Sequence, residues 1–298
     1  MTAIADPGAT QRVPVRAATS HLSVLLLIPV ALVVVLLLGL PLLLILDESV
    51  REFTPGQVGS AFDARLTFEN YAELFAPAYA GFFFTTYLLA FVSAVLSVLI
   101  AFPIAYYVVR TAGPGMRGLI VGLLVMLLFL SALVRVYSIE LTFGTVGLSR
   151  PLLTALSVNM NSRLYLEVLV VLGLLHWTIP ISALTLIGTV QNVNPRLVEA
   201  ATSLGASHAR AHLTVTLPLS LQGLLSAFLI SFTIGVSAFV IPWILGKGRV
   251  LFVSNLIYSR FSEMANYPSG AALSVVMLVV SLLVVYMISL RARRVVVQ

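Results

Sequence analysis

The side chains able to do chemistry are few and widely spaced: Arg135, Glu140, Glu167 and His176 stand within or beside long apolar runs, with Tyr137 and Trp177 beside them. An ionisable group is costly to hold in such a run, so each is a candidate for lining a solute pathway or passing a proton. Each also has a quieter explanation. Arg135 and Glu140 can snorkel to a membrane surface, and Glu167 lies only three residues into its run, where water is close. His176 is deeper, ahead of Pro180, where a neutral imidazole bonded to a neighbouring helix competes with a ligand or relay role. Tyr137, Trp177 and Trp243 suit membrane-interface or packing positions, although their faces would also attract a cationic solute.

Other chemistries are excluded. Without cysteine there is no disulfide, thiolate metal site or cysteine nucleophile. The sequence has no His-Glu-x-x-His, no Gly-x-Ser-x-Gly, no P-loop and no paired carboxylates inside an apolar run. No catalytic residue, metal or bound cofactor is expected on this chain. The 17 basic residues, which give a net charge of +6, are scattered and often flank apolar runs, as membrane anchors do, so no nucleic-acid partner is expected.

One polar stretch has local chemistry of its own, Gln191-Asn-Val-Asn-Pro-Arg-Leu-Val-Glu-Ala-Ala-Thr-Ser-Leu-Gly-Ala-Ser207. Asn194 can cap free amides, Pro195 fits a first helical position, and Gly205 fits a left-handed stop, which predicts a helix of about ten residues. Leu197, Ala200, Ala201 and Leu204 fall at i, i+3, i+4 and i+7 and form one apolar stripe, with Arg196, Glu199 and Ser203 off it. Amphipathicity alone also fits a helix lying among lipid headgroups. A second short helix is expected from Ser207 toward Leu217-Pro218.

Six apolar runs must position these residues: 22–46, 81–109, 118–134, 164–187, 221–245 and 270–290. Each is near the ~20 helical residues that cross a bilayer, where backbone amides must find partners within the helix. With 60% hydrophobic and 9% charged residues, the chain reads as one all-α membrane domain. Pro103 predicts a kink, and Pro180 and Pro242 predict bends. The first run is too long for a signal peptide and no small-x-small cleavage site follows it. Residues 1–20 read as a disordered cytoplasmic tail, 21–290 as the six-span transmembrane domain, 47–80 as a small periplasmic structure, 191–217 as a cytoplasmic loop and 291–298 as a basic cytoplasmic tail. Arg12, Arg16, Arg110, Arg117, Arg291, Arg293 and Arg294 cluster beside run ends, which orients both termini to the cytoplasm.

The string Glu199-Ala200-Ala201, with Gly205 four residues on and then Leu217-Pro218, resembles the signature loop of binding-protein-dependent ABC importer permeases. The resemblance extends over nearly the whole chain. It is closest to the spermidine/putrescine-type subunits, through Leu66-Thr67-Phe68-Glu69-Asn70-Tyr71, Arg135-Val136-Tyr137 and Asn266-Tyr267-Pro268-Ser269-Gly270-Ala271-Ala272-Leu273-Ser274. Ile139 departs from that pattern, where an aromatic residue often stands, and Ile241-Pro242-Trp243-Ile244-Leu245-Gly246 is widespread among relatives. The resemblance implies the type I importer fold of six transmembrane helices, with a cytoplasmic coupling helix between the fourth and fifth spans. It implies ATPase coupling by Glu199, Ala200, Ala201, Leu204, Gly205 and Pro218.

It further implies a second permease subunit forming a heterodimer, two cytoplasmic ATPases that use ATP and Mg, a periplasmic solute-binding protein, and residence in the bacterial inner membrane. The solute would be a polyamine or a related amine or amino-acid-like compound. A transporter driven by an ion gradient is the alternative; it would place buried carboxylates or broken helices near mid-membrane, often in paired repeats, and the sequence shows no such repeat or mid-run acid.

Overall fold

Runs of Leu, Val, Ile and Ala close their own backbone hydrogen bonds as helices, and the computed structural model, which describes residues 21–61 and 63–296, contains no β-sheet among them. The expected disordered tail at 1–20 lies outside the described residues. The chain forms two compact units, Met1–Ile45 and Leu46–Gln298. The first carries α1 (His21–Val34), a π-type turn (Val35–Gly39) and the start of α2 (Leu40–Ser49).

In the second unit, α3 (Glu69–Glu73) precedes α4 (Pro77–Arg110), α5 (Pro114–Phe129), α6 (Ala132–Phe143), α7 (Arg150–Ala155) and α8 (Arg163–Asn192). Then follow α9 (Pro195–Ser203), α10 (His208–Ala211), a π-type turn (His212–Thr216), α11 (Leu217–Leu219) and α12 (Leu221–Ser237). After α13 (Val240–Leu245), α14 (Val253–Tyr258) and a third π-type turn (Ser259–Glu263), α15 (Tyr267–Val296) runs through most of the expected basic tail.

Among the described residues, four helices are long and apolar enough to cross a membrane, or six if each bent pair is one span. Two expected runs change course. The 118–134 run breaks at Leu130–Ser131, where α5 and α6 meet at 100°. The 221–245 run ends as a helix at Ser237 and restarts at Val240. Pro242 therefore sits in the first turn of α13, where its missing amide costs nothing, and marks a helix start. Pro103 and Pro180 lie inside unbroken helices.

The core is the seam of α4, α8 and α12. Small residues let these backbones close up: Ala101, Ala105, Ala183 and Ala227 are fully buried. Ser97, Ser182 and Ser231 join one hydroxyl from each helix, at 3.0 Å and 2.7 Å, in a region where no water competes. A Cβ on Gly223 of α12 would lie 2.0 Å from Thr189 Oγ1 of α8. Thr189 is β-branched and stiff, so Gly223→Leu should lower the thermal midpoint of the solubilised chain by several degrees, from ~1–3 kcal/mol of overpacking. Gly122→Leu, where a Cβ meets nothing within 4 Å, should melt as the native chain does.

The segment after α2 carries bonding of its own. Arg51 and Leu66 form an antiparallel bridge. The Asn70 amide donates to Ser49 O and Arg51 O, and Glu48 accepts from Ser60 N and Oγ.

Candidate functional site

The amphipathic helix forms as its residues dictate. α9 covers nine residues, Asn194 Oδ1 accepts from Arg196 N at 3.0 Å, and Pro195 takes the first position. At the far end Gly205 has φ +89°, and the amides of Gly205 and Ala206 close on the carbonyls of Thr202 and Ala201. Leu197 and Leu204 are exposed, the latter 90%, as is Ala200, whereas Ala201 is half-buried. The Glu199 side chain is exposed with no partner among the described residues; its backbone carbonyl accepts from Thr202 and Ser203 hydroxyls. The stripe and the carboxylate are thus open to another molecule. Pro218 sits in the first turn of α11, on the return path to α12.

Both feet of this loop stand on α4. The Arg110 guanidinium donates through Nη2 to Val190 O at 2.8 Å and to Val193 O, two carbonyls at the C-terminal end of α8. Beyond α9, Tyr106 OH lies 3.2 Å from His212 Nε2, with the rings edge-on and their centroids 4.7 Å apart. The turn bracketed by Arg110 and Arg117 therefore shares one end of the bundle with α9. Sequence alone gave Arg110 only a place beside a run end; its carbonyl partners lie 80 residues or more away.

The candidate pathway residues divide. Arg135, His176 and Trp177 come together at the α5–α6 break. Arg135 is 2% exposed, donates through Nε to Leu130 O (3.1 Å) and through Nη1 to His176 O (3.3 Å), and lies over the Trp177 ring at 4.8 Å. It pins the bend to α8 and does not snorkel. Arg135 Nη2 and His176 Nδ1 are buried without partners among the described residues.

Beside Trp177 a cavity of about 330 Å³ opens, lined also by Ala132, Ile234 and Ser237 to Ile241, so it lies between the two helix breaks. The second break is held as firmly as the first: Ser254 Oγ donates to Ala238 O at 2.7 Å and Asn255 Nδ2 to Phe239 O at 3.0 Å. Phe239, Trp243 and Tyr258 pack as an aromatic cluster on its rim, with centroids 4.8–5.7 Å apart. Signals for these breaks exist in sequence only as Ser131 and Pro242, each inside an apolar run.

Glu140, Glu167 and Tyr137 stand elsewhere. Glu140 pairs with Lys247 at 2.8 Å and ties the end of α6 to the turn after α13; its Oε2 has no partner among the described residues. Glu167 pairs with Arg163 one turn earlier, whose Nη2 also reaches Thr85 Oγ1. Tyr137 is exposed on α6. Among the described residues no group of His, Asp or Glu could hold a metal ion.

No family model matches the chain. It is 29% identical to the spermidine/putrescine transport system permease protein PotB of Haemophilus influenzae, over 76% of this chain and 80% of that protein. It is 24% identical to PotB of Escherichia coli K12, over 83% of this chain and 89% of that protein, and 25% identical to the inner membrane ABC transporter permease protein YdcU of the same strain, over 71% of each. Among solved structures, a chain of a bacterial ABC transporter that imports the acidic polysaccharide alginate matches with a TM-score of 0.72 at 16% identity, covering 92% of this chain and 95% of that one. A chain of an amino acid ABC transporter with histidines matches with a TM-score of 0.52 at 17% identity, over 77% and 99%.

Proposed function

We propose that this chain is an ABC importer permease and that it passes a small amine-bearing solute, a polyamine or an amino-acid-like relative, across the bacterial inner membrane by alternating access. The carrying observation is α9, a capped helix whose apolar stripe and carboxylate face away from the chain that holds it. A rigid element of this kind can deliver rigid-body motion to the spans it joins.

In this reading each bent pair is one span, six spans leave both termini on one side, and the basic residues of the Arg110–Arg117 turn support a cytoplasmic position for that side and for α9. Glu199, Ala200, Ala201, Leu204 and Gly205 then meet a cytoplasmic ATPase, which uses the ATP and Mg, while Pro218 starts the return into the membrane. The names of the relatives support a polyamine as solute and an ABC assembly as setting. The complex contains a second permease subunit as heterodimer partner, two ATPases and a periplasmic binding protein that delivers the solute. Arg135, His176 and Trp177, with the cavity between the breaks, border the pathway; Glu140 and Glu167 brace its outer end through their ion pairs, and Tyr137 is exposed on α6.

The test is reconstitution of the chain with a partner ATPase, a second permease subunit and a solute-binding protein. Uptake that needs ATP and the loaded binding protein is expected, and Glu199→Lys should lower it about tenfold, within the ~5–150-fold span of inter-site coupling. Uptake by the purified chain alone on a proton gradient, with no ATPase present, would overturn the reading in favour of a secondary transporter.

A further inference from the structure

The loop that carries α9 leaves α8 and returns to α12, yet both of its feet are fastened to a third helix, α4. Arg110 holds the leading foot through the carbonyls of Val190 and Val193. Tyr106 holds the returning foot through the His212 ring. Tyr106 and Arg110 are four residues apart, so they share one face of α4. His212 is braced in turn: its Nδ1 lies 3.2 Å from Thr216 Oγ1, Thr216 is 1% exposed, and Ala211 beside it is fully buried. The returning foot is thus a packed anchor.

We propose that Arg110 and the Tyr106–His212 pair are the positioning residues through which displacement of α9 moves α4. With only its two covalent ends, the 191–217 segment would yield to a push as a hinged flap, and the push would be spent on bending the loop. Fastened at both feet to one face of one helix, it forms a closed frame, and a load on α9 reaches α4 as a turn or shift of the whole rod. Arginine suits this role because one terminal nitrogen, Nη2, reaches both carbonyls at once while the guanidinium stays charged. α4 is also the helix best placed to pass the motion inward, since its Ser97 hydroxyl begins the buried chain through Ser182 to Ser231.

The proposal rests on α9 receiving motion from a partner ATPase. Its test uses the assembled complex and two readings: the ratio of ATP hydrolysis with and without solute-loaded binding protein, and solute taken up per ATP hydrolysed. Arg110→Ala and Tyr106→Phe should each lower both by about fivefold, the weaker end of measured inter-site coupling. Assembly and unstimulated hydrolysis should persist, and Arg110→Lys should restore part of the loss. Tyr106→Phe keeps the ring contact and removes only the hydroxyl, so it reports even where Arg110→Ala does not assemble. Wild-type coupling in a variant that assembles, or an Arg110→Lys no better than Arg110→Ala, overturns the proposal alone. A wild-type complex that loaded binding protein fails to stimulate overturns the coupling reading, and this proposal with it.

Discussion

Gly205→Val should leave the assembled transporter intact and cut solute uptake about twentyfold, the middle of the range that a coupling of ~1–3 kcal/mol produces. Gly205 has φ +89°, and a Cβ there would meet nothing within 4 Å. The penalty therefore comes from the backbone alone. A β-branched residue is strongly disfavoured in the left-handed region, so the chain would leave α9 in another direction and the closing bonds to Thr202 and Ala201 would be lost. The rod would survive but its seat would shift. Gly205→Asn, which tolerates positive φ, should lose less. ATP-driven uptake in proteoliposomes separates the three proteins, and native uptake by the valine variant would remove α9 from the coupling path.

Arg135→Ala should lower the thermal midpoint by several degrees and uptake by an order of magnitude, because it leaves Leu130 O and His176 O bare at ~1–3 kcal/mol each. It also removes the guanidinium from the Trp177 face, a contact worth up to ~2 kcal/mol when desolvated. Against this, alanine relieves the burial of a cation with no carboxylate partner among the described residues. The losses win because the carbonyls at the break have no alternative donor in an apolar setting. Arg135→Lys should recover little, since an ammonium can neither fork between the two carbonyls nor lie flat on the indole. Differential scanning fluorimetry and uptake provide the check; a native melting curve for Arg135→Ala would show that the bend stands without its pin.

The capped helix was legible because its signals are local. Asn194, Pro195 and Gly205 each act through their own backbone angles or a partner within a few residues, so type and spacing suffice. The apolar runs were legible for the same reason, and the Arg163–Glu167 pair could have been read from its i, i+4 spacing. The breaks at Leu130–Ser131 and Ala238–Phe239 were not. Hydropathy continues through both, and what sustains them comes from afar: His176 beside Arg135, and Ser254 and Asn255 at the second break. Pro242 carried the right information with the wrong sense, since a proline in an apolar run reads as a bend until the helix start beside it is known. The carbonyl partners of Arg110 and Arg135 on a neighbouring helix were also hidden, because a positive charge near a run end carries no mark of which distant backbone it will meet.

The carbonyls of Leu130, Ala238 and Phe239 all accept from side chains of this same chain, so both breaks are secured from within the fold. On the reading that the cavity between them borders a solute route, relatives could exchange one cargo for another by altering the few side chains that line it while keeping the same scaffold.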